Sequence, residues 1–143
     1  MSADIANAVC ERMFAQDRAS QSLGIEVQAM GPGTATLTMP VRADMCNGFE
    51  ICHGGLIATL ADSAFAFACN SHNEMTVASG FSVDFIAPAY VGNVLTAVAK
   101  EVALAGRTGV YDVEVRNQHE ELIAVFRGNS YRIKGRKVIE DAP

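Results

Sequence analysis

The sequence predicts one α+β domain in which a curved, mostly antiparallel sheet of about six strands wraps around a single long helix. Three observations predict this fold class. The 143 residues suffice for one core and are too few for two comfortable domains. Polar and apolar residues alternate with a period of two over most of the chain, as in half-buried strands. Residues 54–71 instead form a run of small and apolar side chains, which is typical of a helix covered on nearly every side.

An amphipathic helix opens the chain. Residues 4–16 place Ile5, Val9 and Met13 four residues apart with polar residues between them, which predicts a helix with one apolar face. A second short turn is expected around residues 19–23. The central helix predicted over about 54–71 comes much later, after two strands.

Hairpins account for the remaining elements. Gly31-Pro32-Gly33 is a turn signal between strands predicted over 25–30 and 34–41. Short connections that are polar or contain glycine favour antiparallel neighbours in the second half of the chain as well. The later strands are predicted over residues 77–88, 94–104, 109–116 and 121–133. The single domain is expected to end at residue 138, and residues 139–143 are expected to be a flexible tail.

Composition excludes several partners. The net charge is −5 and the basic residues are scattered, so no nucleic acid is expected to bind. The longest apolar stretch, residues 56–69, is too short to span a bilayer and contains Asp62, so no membrane partner is expected. Residues 1–20 lack the basic and apolar blocks of a secretory signal, which favours a cytoplasmic location. The four cysteines form no CxxC pair and are expected to be reduced.

A single carboxylate interrupts the apolar helix. Burying Asp62 without a partner would cost several kcal/mol unless the group is neutral or reached by water. A place on a solvent-exposed strip would explain it, and so would chemistry. Upstream, His53-Gly54-Gly55 begins the helix, where backbone N–H groups lack intrahelical partners and attract negative charge. Free amides and a carboxylate are the two halves of an acyl-transfer site: the amides stabilise an oxyanion and the carboxylate attacks or activates water.

The spacing of these two halves predicts a dimer. Asp62 lies eight residues after Gly54, which is about 12 Å along a helix that rises 1.5 Å per residue. Both groups of one chain therefore cannot act on the same carbonyl carbon. If two protomers pack these helices antiparallel about a two-fold axis, Asp62 of one approaches the helix start of the other. The expected assembly is a homodimer at minimum, with sites shared between subunits.

Four motifs resemble those of a known family. They are N-G-x-x-x-C-H-G-G-x-x-x-x-L-A-D at 47–62, D-F-x-x-P at 84–88, G-R-T-G-V-Y-D at 106–112 and F-R-G-N-S at 126–130. In these motifs the chain resembles the hotdog-fold acyl-CoA thioesterases, in particular those of phenylacetic acid degradation. The resemblance implies a sheet curled around one helix and a homotetramer built from dimers. It also implies hydrolysis of acyl-CoA, with phenylacetyl-CoA or a ring-hydroxylated phenylacetyl-CoA as substrate, in phenylacetate catabolism. CoA is then part of the substrate, and no cofactor is expected.

The resemblance implies catalytic roles for four residues. Asp62 is the nucleophile or the general base. Gly54 donates its backbone N–H to the thioester oxygen. Asn47 positions the attacking water or the thioester, and His53 braces the loop before the helix. The choice between direct attack by Asp62 and activation of water stays open.

Substrate-binding residues are less sharply indicated. The resemblance calls for a small hydroxyl side chain after the helix, but the chain has Ala78 there, followed by Ser79. Ser79 is a weak substitute because adjacent strand residues face opposite ways. Gly55 is expected beside Gly54 in the substrate site. Arg107 and Arg127 are candidates for the CoA phosphates or, equally, ordinary solvated arginines.

Alternatives to this interpretation come from the same residues. The fold could instead serve an enoyl or 3-hydroxyacyl thioester hydratase-dehydratase, or a non-catalytic CoA-ester binding protein. Cys52 next to His53 could be a thiol nucleophile, although sequence neighbours rarely form such a pair. A zinc set of Cys46, Cys52, His53 and His72 matches no ordinary spacing, so no metal is expected. Phe81, Phe85 and Phe126 could line an aryl pocket or belong to the core.

Overall fold

Six strands and three α-helices are formed by residues 2–140, the part of the chain that the computed structural model describes. The helices are α1 (Ser2–Gln16), α2 (Arg18–Ser22) and α3 (Gly54–Asn70), with a 3₁₀ turn at Ala43–Met45. The strands are β1 (Glu26–Gly31), β2 (Thr34–Pro40), β3 (Thr76–Phe85), β4 (Val94–Ala105), β5 (Thr108–Arg116) and β6 (Leu122–Arg132).

All six strands belong to one antiparallel sheet within the described residues. Their order is β1-β2-β4-β5-β6-β3, so β3 crosses from the middle of the sequence to one edge and pairs with β6. The other edge is β1, against which α1 packs. The predicted fold class, a mainly antiparallel sheet of about six strands around one long helix, is confirmed.

Irregular pairing lets the sheet curve around α3. The register shifts once in four of the five strand pairs of the described sheet, and such bulges bend and twist a strand. On the concave side Phe65 of α3 lies against Gly128, with its ring centroid 5.6 Å from that of Tyr111 and 5.8 Å from that of Phe126. Leu60 and Phe67 of the same helix are fully buried on other sides. Burial of α3 against the sheet thus explains its apolar character.

Some predicted limits differ from the observed ones by a few residues. α1 begins two residues before the predicted position, α3 ends one residue early, and β3 ends at Phe85 although the prediction extended it to residue 88. Ile139, the first residue of the predicted tail, is held by the Asn73 side chain through bonds of 2.8 and 2.9 Å. Residues 141–143 of that tail lie outside the described residues, and the domain limits of 1–138 stay a prediction.

The described helices do not include a candidate membrane span. None of them combines the length and the apolar character that crossing a bilayer requires.

We expect Gly128→Ala to destabilise the fold. An added Cβ would lie 2.8 Å from the Phe65 ring, and such overpacking typically costs about 1–3 kcal/mol in the free energy of unfolding. Urea denaturation measures this free energy. The control is Gly48→Ala, whose Cβ would meet no atom within 4 Å and which should change stability by at most about 0.5 kcal/mol. Equal stability of Gly128→Ala and the unmodified protein would contradict this packing.

Candidate active site

The start of α3 is fixed by the backbone of His53. This residue is extended (φ −60°, ψ 135°), and its N–H donates to the Met45 carbonyl at 2.9 Å. Its own carbonyl accepts from the N–H groups of Leu56 and Ile57 at 3.0 and 3.4 Å. The imidazole is exposed and makes no hydrogen bond to residues 2–140. The His53 backbone therefore connects the 3₁₀ turn to the first turn of α3, and the predicted bracing role of this residue stays a prediction.

Two unbonded amides open the helix. Among the described residues, no acceptor lies opposite the N–H groups of Gly54 and Gly55. Both point out of the first turn, where the helix dipole favours negative charge. A Cβ on Gly54 would lie 2.7 Å from Cζ of Phe85, so a glycine is needed for this close approach. A Cβ on Gly55 would meet nothing within 4 Å.

Asn47 is held in a fixed orientation, and its Nδ2 group finds no acceptor among residues 2–140. Its side-chain Oδ1 accepts from the N–H groups of Phe49 (2.9 Å) and Ile51 (3.2 Å), and its own N–H donates to the Ile51 carbonyl (2.8 Å). Because two donors require the oxygen on that side, the Nδ2 amide group faces away from the loop. The geometry leaves it as a hydrogen-bond donor for water or a carbonyl.

A cleft of about 500 Å³ lies at the start of α3. Asn47, His53 and Gly54, three of the four predicted catalytic residues, line it together. The rest of its wall is apolar. It consists of Ile51, Cys52, Ile57, Phe85, Ile86, Ala87, Pro88 and Ala89. The cleft therefore offers an oxyanion site beside a hydrophobic pocket.

Asp62 lies outside this cleft, partly buried on α3. No side chain or N–H among residues 2–140 forms a hydrogen bond with its carboxylate. Burial, and secondly the nearby carboxylate of Asp17, raises the pKa of Asp62. A raised pKa brings a carboxylate closer to the range in which it accepts a proton efficiently. The environment of Asp62 thus suits a general base or a nucleophile.

Asp17 lies near Asp62 because α2 contacts α3. It caps α2 by accepting from the Ser20 N–H (3.0 Å) and the Ser20 hydroxyl (2.7 Å). The Ser20 hydroxyl also contacts that of Ser63, the neighbour of Asp62, at 3.0 Å. Sequence reasoning missed Asp17, because this contact links residues 43 positions apart and leaves no local signal.

Asp62 and the cleft are not brought together within one chain. α3 and β3 run in opposite directions, since Phe85 ends β3 beside Gly54 while the Asn70 side chain bonds Thr76 at the start of β3. The eight residues from Gly54 to Asp62 span about 12 Å, which corresponds to three or four strand residues. Asp62 therefore lies about level with Phe81, away from the free amides.

Ser79 occupies the bulge in β3. Ala78 pairs with Ser130 and Gly80 pairs with Asn129, so Ser79 is the extra residue between them. Its hydroxyl donates to the Asn129 carbonyl at 3.1 Å. The bulge disturbs the regular alternation on which the low rating of Ser79 as a substitute rested, and a substrate-binding role of Ser79 stays a prediction. Ser79 is not among the residues that line the cleft.

The two arginines have different surroundings. Arg127 forms a bidentate pair with Asp112 on the neighbouring strand, with N–O distances of 2.6 and 2.7 Å. Arg107 lies exposed in the turn between β4 and β5, with one contact of 3.4 Å to the Tyr131 hydroxyl. Neither arginine lines the cleft. The charge of Arg107 is the more available of the two.

The cysteine and zinc alternatives find no support in this geometry. Burial, with Cys46 as the next cause, raises the pKa of Cys52 to about 11, so its thiol is protonated at neutral pH. His72 lies beyond the far end of α3 and contacts Glu101 at 2.8 Å. Within residues 2–140, no cluster of three or more His, Cys, Asp and Glu side chains could hold a metal ion.

The three phenylalanines considered for an aryl pocket or the core have different surroundings. Phe126 is buried in the core, whereas Phe81 and Phe85 are about half exposed. Phe85 lines the cleft and contacts Gly54 at the helix start. The D-F-x-x-P motif hinted at this position, but only the antiparallel course of β3 and α3 brings the ring to the amide.

Comparison with known proteins decides the family. The model of the Thioesterase superfamily matches residues 49–124, more than half of the chain. This chain belongs to the thioesterase superfamily. The acyl-coenzyme A thioesterase PaaI of Escherichia coli K12 is 46% identical to it over 123 residues, which cover 86% of this chain and 88% of PaaI. A putative esterase of Archaeoglobus fulgidus is 38% identical, over 87% of this chain and 81% of the relative.

Solved structures agree with this assignment of the thioesterase. The structure of the E. coli PaaI protein from the phenylacetic acid degradation operon superposes with a TM-score of 0.93 and 42% identity, over 95% of this chain and 99% of that one. A mutant of the phenylacetic acid degradation protein PaaI from Thermus thermophilus gives 0.78 and 38%, over 82% and 100%. The predicted hotdog fold and the thioester hydrolase class are confirmed. The roles of individual residues stay predictions.

Gly54→Ala should lower kcat by roughly 10- to 100-fold, because the new Cβ collides with the Phe85 ring and displaces an amide that is predicted to bind the oxyanion. Adding Phe85→Leu to this variant removes the ring and should restore part of the lost activity. A double-mutant cycle on kcat measures the coupling between the two positions, with Phe85→Leu alone as its fourth corner. Purely additive losses would show that the ring does not set the position of the amide.

We expect Asp62→Asn to be more stable than the unmodified protein at pH 7. Burial raises the pKa of Asp62 in the folded state, so the charged form costs folding free energy above that pKa. Below about pH 3.9, the unfolded-state value, the carboxyl is protonated in both states and the advantage should disappear. Urea denaturation at both pH values tests this. Asp44→Asn, which changes an exposed carboxylate paired with Arg42, is the control and should give no gain at pH 7. A loss of stability in Asp62→Asn at pH 7 would contradict the burial cost.

Proposed function

We propose that this thioesterase hydrolyses acyl-CoA, with phenylacetyl-CoA or ring-hydroxylated phenylacetyl-CoA as substrate, and releases the free acid and CoA in phenylacetate catabolism. One observation carries the proposal: the Gly54 amide at the helix start, which has no acceptor among residues 2–140, opens on an apolar cleft. The likeness to the E. coli acyl-coenzyme A thioesterase PaaI supports CoA as the thiol, and the operon of that protein supports the acyl group.

The cleft favours a neutral, apolar acyl group. Apart from Asn47 and His53, its wall consists of apolar and small side chains. Phe85 offers a ring face or edge to an aromatic acyl group, and such pairs add about 0.5–1.5 kcal/mol to simple burial. A thioester carbonyl oxygen near the Gly54 amide would leave the acyl chain against Phe85 and Ile57. This arrangement fits an aryl-acetyl group.

The chemical step needs a base or nucleophile on the open side of the carbonyl. In one route Asp62 takes a proton from water, and the hydroxide adds to the carbonyl carbon. In the other route its carboxylate adds directly and forms an anhydride that water then opens. In both, the Gly54 amide carries the oxyanion, Asn47 Nδ2 orients water or the carbonyl, and the CoA thiolate leaves. These groups suffice for hydrolysis, so we propose that no resident cofactor takes part.

A second protomer would supply the missing carboxylate. β3 is an edge strand with solvent-exposed apolar side chains: Phe85 is 50% exposed, Phe81 48% and Val77 42%. An exposed edge of this kind is a template for pairing with another strand. If two copies of β3 pair antiparallel about a two-fold axis near Val83, the level of Asp62 in one copy meets the level of Gly54 in the other. We therefore propose a homodimer with two shared sites, and a homotetramer of two such dimers.

The same pairing suggests which arginine binds CoA. The β4–β5 turn lies at the end of the sheet where β3 begins, since Thr108 and Val77 both pair with Tyr131. In the proposed dimer this end approaches the partner's cleft. Arg107 is then the better candidate for a CoA phosphate, because Asp112 already neutralises Arg127. The four free cysteines of residues 2–140 fit the reducing cytoplasm that we propose as the location.

Replacement of the carboxylate tests the proposal. With a panel of acyl-CoA esters and a thiol reagent that detects released CoA, the unmodified protein should prefer aryl-acetyl esters. Asp62→Asn should lower kcat by about 10²–10⁴-fold, because the amide neither accepts a proton nor attacks. Asp44→Asn is the matched control on an exposed carboxylate and should keep kcat. Absence of CoA release from every ester, or full activity of Asp62→Asn, would reject the proposal.

A further inference from the structure

Two of the four free cysteines face each other at the base of the loop that carries Asn47. Cys46 and Cys52 are direct partners in an antiparallel bridge. Neither residue bonds the other through its backbone. The bridge is framed by hydrogen bonds between the flanking residues, from Asn47 N–H to the Ile51 carbonyl (2.8 Å) and from His53 N–H to the Met45 carbonyl (2.9 Å).

This pattern defines the separation of the two cysteines. In an antiparallel pair whose two residues exchange no hydrogen bonds, the opposite Cα atoms are about 4.5 Å apart and the two side chains lie on one face. A disulfide requires a Cα separation of about 4.4–6.8 Å and a Cβ separation of about 3.5–4.5 Å. Opposed Cβ atoms in antiparallel pairs are about 4.5–5.5 Å apart, and at the short end in pairs of this type. Closure thus needs side-chain rotation and a movement of at most about 1 Å.

We propose that Cys46 and Cys52 form a covalent modification site, a reversible intramolecular disulfide made by exchange with a low-molecular-weight disulfide. Cys46 is partly exposed and reacts first, whereas Cys52 is only 3% exposed and is reached through Cys46. The thiolate of Cys46 attacks one sulfur of the small disulfide and releases one small thiol. Cys52 then attacks the Cys46 sulfur of the mixed disulfide and releases the second.

The exchange is balanced in electrons and protons. The two protein thiols lose two electrons, the small disulfide gains them, and the two protons pass to the two small thiols that leave. The raised pKa of Cys52 keeps it as a thiol at neutral pH, so the second step is the slow one. In a reducing compartment the dithiol state is then the resting state, and the disulfide forms when the disulfide pool rises.

Closure of this pair acts on the candidate active site. The bond encloses the segment that orients the Asn47 amide, and Cys52 immediately precedes His53, whose backbone starts α3. A shift of about 1 Å between catalytic groups can cost about 100-fold in rate. We expect the disulfide to lower kcat by roughly tenfold or more. This consequence for turnover rests on the proposed function, whereas the bond itself does not.

The test uses Cys10→Ala/Cys69→Ala protein, in which the pair supplies the remaining thiols, with glutathione disulfide as the probe. Proteolysis after Glu50 separates Cys46 from Cys52, so non-reducing mass spectrometry should find the two peptides joined and both thiols consumed. Turnover of acyl-CoA should fall with the extent of linkage and return after treatment with dithiothreitol. The disulfide is detected without any substrate. This result therefore tests the modification site even if the proposed function fails.

Cys46→Ser in the same protein is the matched control. It removes one partner at a position that does not line the cleft, so it should keep its turnover under the same glutathione disulfide. Peptides that stay separate, with the thiols free or individually linked to glutathione, would overturn the site. A joined pair with kcat changed by less than about twofold would overturn its effect on catalysis.

Discussion

The burial of α3 on nearly every side is the constraint on which the rest of the structure depends. Because the helix is apolar on nearly every side, the sheet must curve around it, and bulges in four strand pairs allow this. Phe65 fits against the sheet only where Gly128 leaves room for its ring. Close packing on nearly every side holds the helix in place. The helix therefore holds the carboxylate of Asp62 at a set distance from the amides at its start.

That distance accounts for the proposed assembly. Asp62 is partly buried without a hydrogen-bond partner in residues 2–140, and its raised pKa reflects the cost of this position. The cleft at the helix start has donors and an apolar wall but no carboxylate among its lining residues. In the proposed assembly, each protomer thus supplies one half of each of two sites, and both of these halves lie on one helix. A two-fold axis beside the β3 edge would complete both sites at once. It would account for the exposed edge strand and for the position of Asp62.

The sequence was sufficient for the parts of the molecule that depend on local pattern. The strands follow from alternation, α3 from its apolar run, and the grouping of Asn47, His53 and Gly54 from one continuous motif. Contacts between distant segments could not be read in this way. β3 crosses to the sheet edge, Phe85 reaches Gly54, and Asp17 approaches Asp62 only through packing. The bulge at Ser79 and the pairing of Arg127 with Asp112 likewise depend on strand register.

Complementation between protomers tests the shared site most directly. Asp62→Asn and Gly54→Ala proteins should each have little activity, but a dimer that contains one of each keeps an intact Asp62 opposite an intact Gly54 at one of its two sites. Heterodimers isolated through two different affinity tags should therefore recover about half of the activity of the unmodified dimer. Heterodimers as inactive as their parents would show that each chain carries out the reaction with its own residues, and would contradict a site shared between subunits.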